Sequence, residues 1–519
     1  MAKIVNSLGI ELPEYIEGYG KVKPFMGAFY YYNKEQQKTA QRRIKNHKPQ
    51  NKKLCSSIRE AIEKSGLKDG MTISFHHHLR NGDGVMMLVV EEIYKMGIKD
   101  IQICDSSFTN AHEDLLEYIK NGVITSISTS GLRGEIGKYV SKNNIFKKPV
   151  VFRTHGGRAR AIESGEVKID VAFIGAPACD EEGNMNGSEG KSAFGAMGYP
   201  MIDALYADYV VAITDNLVKY PLHRISIPEI YVDSVVLVES LGDPNLIASG
   251  ATRITNNPTE LLIAETAAKI LIGCDLIKNG FSFQAGAGGA SLAVCRYLRE
   301  YMINNNIKGS FVSGGINAYI LELFKEGLFE SLLDIQTFDG SIANAIGREK
   351  GYIEMSSSMY ANPNNGSCVA HKLDMMMLSA TEVDLNFNVN SLTGSHGLIM
   401  GALGGAPDTA AGSKVTLITV PSIRKRIPII TDKVTNIVTP GETVDILVSD
   451  RGVCINPRRT DLIEILDRNH IEHRDIKELY EEIISLTGIP DKIQYTDNIV
   501  GIIEYRDGSV IDLIYQVKQ

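Results

Sequence analysis

The sequence lacks the features of a membrane or secreted protein. No apolar run approaches the roughly 18 to 20 residues that a membrane-spanning helix needs, so we expect no membrane association. The first segment has no positively charged start followed by an apolar stretch, and we therefore expect no export signal. The seven cysteines form no CxxC pair, and an odd number of them is typical of reduced, buried thiols. Together these absences predict a cytoplasmic protein.

An excess of positive charge is also missing. The formal net charge is −8 and the pI is near 5.8, which argues against a nucleic-acid-binding protein, because phosphate neutralisation demands a basic face. No spaced cluster of Cys, His and Asp predicts a metal site. One basic segment, from Lys34 to Lys53, is opposed only by Glu35. It is either a solvated helix or linker, or a docking patch for an acidic partner or a phosphate group.

The pattern along the chain predicts an α/β fold with largely parallel sheets. Short apolar runs such as MTISF and DIQIC alternate with amphipathic stretches such as VMMLVVEEIYKMG, which is the signature of β-α units. A length of 519 residues exceeds what one compact core normally uses. We therefore expect two large domains.

An internal repeat supports this division. Ser74 and Phe75 match Ser282 and Phe283, and further matches, up to Gly122 with Gly327, recur at offsets of about 205 to 209 residues. Gly, Pro and Asn cluster over residues 239–260. We predict two tandem related open-sheet domains, 1–248 and 249–519, with the ligand between them, where loops from both sheets face each other.

The most informative passage is SFQAGAGGASLAV, residues 282–294. A strand runs into Gly286, Gly288 and Gly289, and a helix follows directly. Such a loop lets main-chain N–H groups approach a phosphate or an oxyanion. The alternative explanation for the glycines is a tight turn between the strand and the helix. The spacing of these glycines does not match the G-x-G-x-x-G pattern of loops that bind nicotinamide dinucleotides. A second glycine loop, GALGGAPDTAAG, carries Gly404, Gly405 and Asp408 and is either a crossover turn or part of the site.

Cationic residues concentrate near the loop HHHLRNGDG, which in the first repeat takes the place of QAGAGG. His76 and His78 share one face of an extended strand, and His77 points the other way. Arginine forks bind carboxylates bidentately, and glycine-flanked arginines are what a polycarboxylate substrate requires, with surface ion pairing as the alternative. The candidates are Arg80, Arg133, Arg153, His155, Arg158 and His78.

The sequence resembles the citrate lyase alpha chains, which are citrate transferases of the coenzyme A transferase fold. The resemblance rests on SFHHHLRNGDGV, TSGLRGEIG, RTHGGRARAI, SFQAGAGGASLA, FNVNSLTGSHGLIMGALGGAPDTAAG, IRKRIPIITDKV and TPGETVDILV, in order and across nearly the whole chain. A wider similarity to acetate and 4-hydroxybutyrate coenzyme A transferases covers GAPACDEEGNMNGSEG and the two glycine loops. The resemblance implies two tandem coenzyme A transferase-like domains with the active site between them.

The resemblance implies a reaction and its partners. Acetyl-carrier protein and citrate would give citryl-carrier protein and acetate, and a separate beta subunit would then cleave the citryl thioester. The carrier is the gamma subunit, whose arm is phosphoribosyl dephospho-coenzyme A. No cofactor bound permanently to this chain is implied, and we expect a homo-oligomer within the complex. Gly286, Gly288 and Gly289 are the catalytic candidates, and Gln284, Gly404, Gly405 and Asp408 would line the channel for the thioester arm.

One departure from the wider family bears on the mechanism. Its covalent members carry a nucleophilic glutamate before an S-D-G tripeptide, and the alignment places Ser310 of KGSFVSGG there. Citrate carboxylates are ionised at pH 7 and can attack a thioester themselves, giving a mixed anhydride. One alternative is a transferase or hydrolase that acts on free coenzyme A esters through a glutamyl thioester on Glu382 or Glu354. The other is a non-catalytic sensor of citrate or sugar phosphates.

Overall fold

The computed structural model describes residues 2–28, 30, 52–248, 254–286 and 288–518. Two large sheets organise these residues. The strands of the two sheets, in chain order, are β1 (Leu54–Cys55), β2 (Thr72–Phe75), β3 (Ile101–Asp105), β4 (Ile124–Thr129), β5 (Val150–Phe152), β6 (Val171–Gly175), β7 (Tyr209–Thr214), β8 (Ser234–Leu237), β9 (Ser282–Gln284), β10 (Gly309–Ile316), β11 (Phe329–Thr337), β12 (Tyr352–Glu354), β13 (Met375–Leu378), β14 (Val415–Thr419), β15 (Ile446–Ser449), β16 (Gly452–Ile455), β17 (Tyr495–Glu504) and β18 (Val510–Val517).

Helices cover the sheets and connect their parallel strands. In chain order they are α1 (Ile58–Ser65), α2 (Val85–Lys95), α3 (Leu115–Lys120), α4 (Gly134–Lys142), α5 (His155–Glu163), α6 (Pro200–Tyr206), α7 (Pro258–Gly273), α8 (Gly289–Asn304), α9 (Ala318–Lys325), α10 (Ser357–Ala361), α11 (Ala406–Gly412), α12 (Thr460–Arg468) and α13 (Ile476–Thr487). Strand β6, VAFIG, is buried along its whole length, as expected for a parallel strand that is covered on both faces. Among the described residues, no helix combines the length and the apolarity that crossing a bilayer requires.

The two sheets share the topology of their seven corresponding strands, which agrees with the predicted internal repeat. The first sheet has the order β18-β17-β5-β4-β3-β2-β6-β7-β8-β1, and the second has the order β12-β11-β10-β9-β13-β14-β15-β16. Seven strands of each sheet correspond, β5-β4-β3-β2-β6-β7-β8 in the first and β12-β11-β10-β9-β13-β14-β15 in the second: from a central strand the chain moves outward on one side and then returns to the other. Neighbouring strands are parallel except for the pairs β15–β16 and β17–β18.

Short strands outside the two large sheets form small mixed and antiparallel sheets. A three-stranded sheet in each half again has the same order in both. The first comprises Ala178–Asp180, Met185–Asn186 and Leu217–Val218, and the second comprises Glu382–Asp384, Val389–Asn390 and Ile430–Thr431. Two-stranded pairs join Lys3–Val5 to Glu11–Pro13, Tyr15–Ile16 to Gly20–Lys21, and Ile423–Arg424 to Ile427–Pro428.

The C-terminal hairpin belongs to the first sheet. Strand β17 pairs in parallel with β5, so residues from both ends of the chain build one sheet. The predicted division into 1–248 and 249–519 does not include this return and stays a prediction, with residues 249–253 outside the described ones. At the end of β17 the buried Glu504 pairs with Arg153 (Nε–Oε2 2.6 Å) and accepts a hydrogen bond from Tyr19 (2.6 Å). This ion pair fixes the hairpin to β5.

Removing the charge of Glu504 should therefore destabilise the protein. Glu504→Gln keeps the shape but leaves the Arg153 cation buried without a counter-charge, which costs about 3 kcal/mol or more of unfolding free energy. Urea denaturation measures the loss. The control is Glu11→Gln, which breaks the exposed Lys3–Glu11 pair and should change stability little. Equal effects of the two substitutions would contradict the assignment.

Candidate functional site

A cleft of about 520 Å³ lies between the two halves, where the carboxyl ends of the strands of both sheets meet. This is the place at which strand order reverses in each sheet, beside β2 and β9, and open α/β sheets bind ligands there. The residues that line it are His77, Arg80, Asn81, Ser107, Thr109, Asn110, Ser130, Arg133, His155, Tyr199, Gln284, Ala285, Gly286, Gly315, Ile335, Gln336, Phe338, Tyr360, Met376, Leu378, Ser379, Ser391, Ala402, Leu403, Gly404, Gly405 and Ala406.

Two arginines supply the charge of the cleft. Arg133 donates a hydrogen bond to Ser107 Oγ (2.9 Å), and the Arg80 guanidinium lies 4.9 Å from the centre of the Phe338 ring. Among the described residues neither arginine has an ion-pair partner, and Arg80 Nη1 is buried without a hydrogen bond. Burial, and then the neighbouring Arg80, lower the pKa of Arg133 to about 10, and burial lowers the pKa of Arg80. Two cations without a counter-charge therefore face the cleft.

The loop that carries Arg80 is held tightly. Arg80 itself adopts a left-handed conformation, with φ of 54°, which is uncommon for a residue with a side chain. Its carbonyl accepts a hydrogen bond from Thr109 Oγ1 (2.9 Å). The segment that leads to the second half pairs with the same loop, since Asp243 N donates to Gly82 O (2.9 Å). Such strain persists only where the surroundings impose it, and it is frequent at functional sites.

Neutral histidines and a tyrosine form the floor on the first-half side. Tyr199 Oη lies 3.0 Å from His155 Nε2 and 3.3 Å from Gln336 Oε1, and Gln336 Nε2 donates to His77 O (3.1 Å). Burial, and then the cation of Arg158, lower the pKa of His155 to about 3, so its ring is neutral at pH 7. Burial also lowers the pKa of His77 well below its ordinary value. This network joins the two halves across the cleft without adding charge.

The second half contributes an uncharged wall. Gln284 and Gly286 follow β9, and Gly404 and Gly405 follow the loop that crosses to the first half. That loop is fixed by Leu403 N, which donates to Ser130 O (2.7 Å). The TSGLRG and GALGGAPD motifs therefore contact each other.

Two predicted arginines do not line the cleft. Arg153 is committed to Glu504 and to Ser128 Oγ (2.7 Å). Arg158 is fully buried and forms a bidentate pair with Asp203 (2.7 Å to each oxygen). A guanidinium already matched to a carboxylate is not available for a substrate. Both arginines are structural.

Other predicted residues also lie outside the lining. His78 is buried and stacks on Phe194 (4.9 Å), while His77 reaches the cleft, which follows from the predicted alternation of the loop. Asp408 is buried and accepts hydrogen bonds from Thr154 Oγ1 (2.8 Å) and Gly156 N (2.9 Å), so it holds the N-terminus of α5 rather than lining a channel.

The glycine loop is only partly exposed to the cleft. Gly286 lines it, but Gly288 precedes α8 as its cap and donates its N–H to Gly286 O (2.9 Å), and Gly289 is the first residue of that helix. The N–H of Gly288 is therefore already used. Sequence reasoning missed Tyr199, Gln336 and Tyr360, which lie outside the glycine- and arginine-rich motifs.

None of the described residues that line the cleft is an aspartate or a glutamate. Glu382 is buried and bonded to Asn390 and Thr435. Glu354 accepts hydrogen bonds from Met197 N and Ser226 Oγ. Ser310 lies at the amino end of β10, where its hydroxyl bonds to Phe281 O (3.1 Å), and it does not line the cleft. Within the described residues, no group of three or more His, Cys, Asp or Glu could hold a metal ion.

Comparisons with known proteins agree with this geometry. The family described as "Citrate lyase, alpha subunit" matches residues 51–517. The citrate lyase alpha chain of Haemophilus influenzae is 49% identical over 467 residues, covering 90% of this chain and 93% of that protein. A solved alpha subunit of citrate lyase from Streptococcus mutans, in complex with citrate, is 50% identical with a TM-score of 0.95, covering 99% of this chain and 100% of that one.

A more distant structure shares only the fold. The malonate decarboxylase hetero-tetramer of Pseudomonas, in complex with malonate, matches at a TM-score of 0.62 and 14% identity over 84% of each chain. At this identity the similarity concerns the architecture of the two α/β sheets alone.

The pKa of His155 predicts a pH effect on stability. The pKa of this histidine is about 3 in the folded protein, against an ordinary value of 6.5 for the unfolded chain. Below about pH 6.5 the unfolded chain therefore binds more protons, and the free energy of unfolding falls as the pH drops. Between pH 7.5 and pH 5.5, His155 lowers the free energy of unfolding by about 1.4 kcal/mol. The substitution His155→Gln should remove this pH-dependent loss. Denaturation at the two pH values measures it. The same substitution at the exposed His223 is the matched control.

Proposed function

Because the chain belongs to the family of citrate lyase alpha subunits, we propose that it exchanges citrate for acetate on an acyl-carrier-protein thioester. Citrate and acetyl-carrier protein would give citryl-carrier protein and acetate, the activity of a coenzyme A transferase. The observation that carries this proposal is the pair Arg80 and Arg133, two partly buried cations that have no ion-pair partner among the described residues and that face a cleft whose described lining contains no carboxylate. A polycarboxylate completes such a site, because a buried charge is stable only when paired.

The proposed reaction needs no side-chain nucleophile. A citrate carboxylate oxygen attacks the acetyl carbonyl carbon, and the carbonyl electrons move to its oxygen. Collapse of this oxyanion expels the thiolate and leaves a citryl-acetyl anhydride. The thiolate then attacks the citryl carbonyl and acetate leaves. The chain's own task is to hold the groups in contact, stabilise the oxyanion and exclude water. The floor of His77, His155 and Tyr199 is consistent with this assignment, because burial lowers the pKa of both histidines and so makes them weak bases, and direct carboxylate attack requires no proton transfer.

The walls of the cleft suggest how the two substrates divide it. We assign the citrate carboxylates to Arg80, Arg133 and the neutral His155, and the thioester end of the carrier arm to Gln284, Gly286 and the Gly404–Gly405 turn. When bound, the phosphoribosyl dephospho-coenzyme A arm of the carrier supplies the thiol that holds the acyl group. Gly405 has no side chain between its main chain and a bound thioester. A Cβ at this position would also come within 2.5 Å of Tyr360 Oη.

The proposed setting is a complex in the cytoplasm. Beta and gamma subunits would be the partners of this chain. Within the complex, this chain would form a homo-oligomer. All seven cysteines are unpaired and buried, which fits a reducing compartment. The docking patch expected over Lys34 to Lys53 lies outside the described residues apart from Lys52 and Lys53. Lys53 donates to the main-chain carbonyls of Glu182 and Glu229 (2.9 and 2.8 Å), so its ammonium is engaged within this chain.

Loss of one cleft arginine should weaken citrate binding. Arg133→Gln removes a charged donor, and a hydrogen bond to a charged group of about 1.5–3 kcal/mol corresponds to a rise in KM for citrate of about tenfold or more. The control is Arg296→Gln on the exposed face of α8, with kinetics expected to match the wild type. Steady-state exchange assays measure both. An unchanged KM for citrate in Arg133→Gln would remove this arginine from the citrate site.

A single mass-spectrometric experiment separates the competing mechanisms. The acetylated carrier is mixed with citrate and this chain alone, and both polypeptides are analysed after hydroxylamine or borohydride treatment. We expect a citryl group on the carrier and an unmodified chain. A labelled glutamate, such as Glu382 or Glu354, would establish the glutamyl thioester instead. Citrate binding without any exchange would identify a sensor.

A further inference from the structure

Tyr360, on α10, has a hydroxyl group with an uncommitted proton at the second-half wall of the cleft. Gln284 Nε2 donates to Tyr360 Oη (2.7 Å), so the phenol oxygen is an acceptor in that contact and its own hydrogen points elsewhere. No described residue accepts that hydrogen, and Gln284 Oε1 also has no partner. The side chain is 3% exposed, and it lines the cleft. An O–H group this buried needs an acceptor, and the cleft is where one can come from.

The local packing is built to admit this hydroxyl. A Cβ on Gly405 would lie 2.5 Å from Tyr360 Oη and 2.8 Å from its ring, so only glycine allows the phenol to sit against the main chain of residues 404–405. Burial raises the pKa of Tyr360, which keeps its proton in place at neutral pH. The phenol is thus a fixed, neutral donor beside the turn assigned to the thioester.

The other cleft tyrosine does not share these properties. Tyr199 Oη lies 3.0 Å from His155 Nε2 and 3.3 Å from Gln336 Oε1, so acceptors for its proton are already in contact. The two phenols therefore have different roles, and only Tyr360 has a donor to offer.

We propose that the Tyr360 hydroxyl donates a hydrogen bond to the oxyanion that forms when a carboxylate attacks the bound thioester, with Gln284 as the positioning residue that orients it. This inference rests on the proposed function. The C–O bond to the attacking carboxylate forms, the carbonyl π electrons move to oxygen, and the hydroxyl stabilises that charge. Its proton stays on tyrosine, and the electrons return when the C–S bond breaks. A donor aimed at charge that develops only in the transition state acts on kcat.

The test compares exchange kinetics of the full chain with acetylated carrier protein and citrate. Loss of one oxyanion donor typically lowers kcat by about 100- to 1,000-fold, so Tyr360→Phe should lower kcat by about 100-fold and change KM for citrate less than about twofold. The control is Tyr352→Phe, which removes another buried phenol, bonded to Asp334 (2.8 Å) and outside the cleft lining, and should leave kcat unchanged. A raised KM with normal kcat, or no change in either, would overturn the proposal.

A second measurement guards against misfolding of the phenylalanine variant. Fluorotyrosines of decreasing phenol pKa are placed at position 360, which keeps the shape and changes only the strength of the donor. We expect kcat to vary systematically with phenol pKa, and a flat series would overturn the role. Exchange by the wild type is measured first. If the wild type does not exchange acyl groups, the proposed function fails, whereas an active wild type with an unaffected Tyr360→Phe variant refutes this inference alone.

Discussion

The structure depends on the way in which both halves hold the start of α5. The carboxylate of Asp408, from the second half, accepts hydrogen bonds from Thr154 Oγ1 and Gly156 N, and Gly404 O accepts from His155 N (2.9 Å). Asp408 is fully buried, and burial raises its pKa to about 6. The first half holds the same helix through the pair Arg158–Asp203. The position of His155 in the cleft is therefore set by both halves together.

Close main-chain contacts tighten this junction. A Cβ on Gly156 would lie 2.1 Å from Ala361 O, and one on Gly131 would lie 2.3 Å from the Cβ of Ala402. These glycines belong to motifs that the sequence suggested for ligand binding, yet their immediate role is to let α5 and α10, and the two crossing loops, approach each other. At Gly131 and Gly156 the halves approach this closely because these residues have no side chains.

The sequence predicted the architecture better than the individual side chains. The repeat near Ser74 and Ser282 indicated two related sheets, because strand spacing and periodicity are local properties. The roles of Arg153 and Arg158 were not accessible, because Glu504 lies 351 residues from Arg153 along the chain. A glycine-flanked arginine has the same local pattern whether its partner is a substrate or a distant carboxylate. Tyr360 had no pattern at all, since its importance comes from Gln284 and Gly405, which only the fold brings near it.

The return of β17 to the first sheet has a consequence for synthesis. Strand β5 lies beside an edge that only residues 495–504 can cover, and the whole second half is made before them. On the ribosome, the first half therefore exists for a long time with Arg153 unmatched and one sheet edge open, a state prone to wrong pairing. The native order of that sheet is reached only after translation of the hairpin, so the first half cannot complete its sheet before the second half has been made.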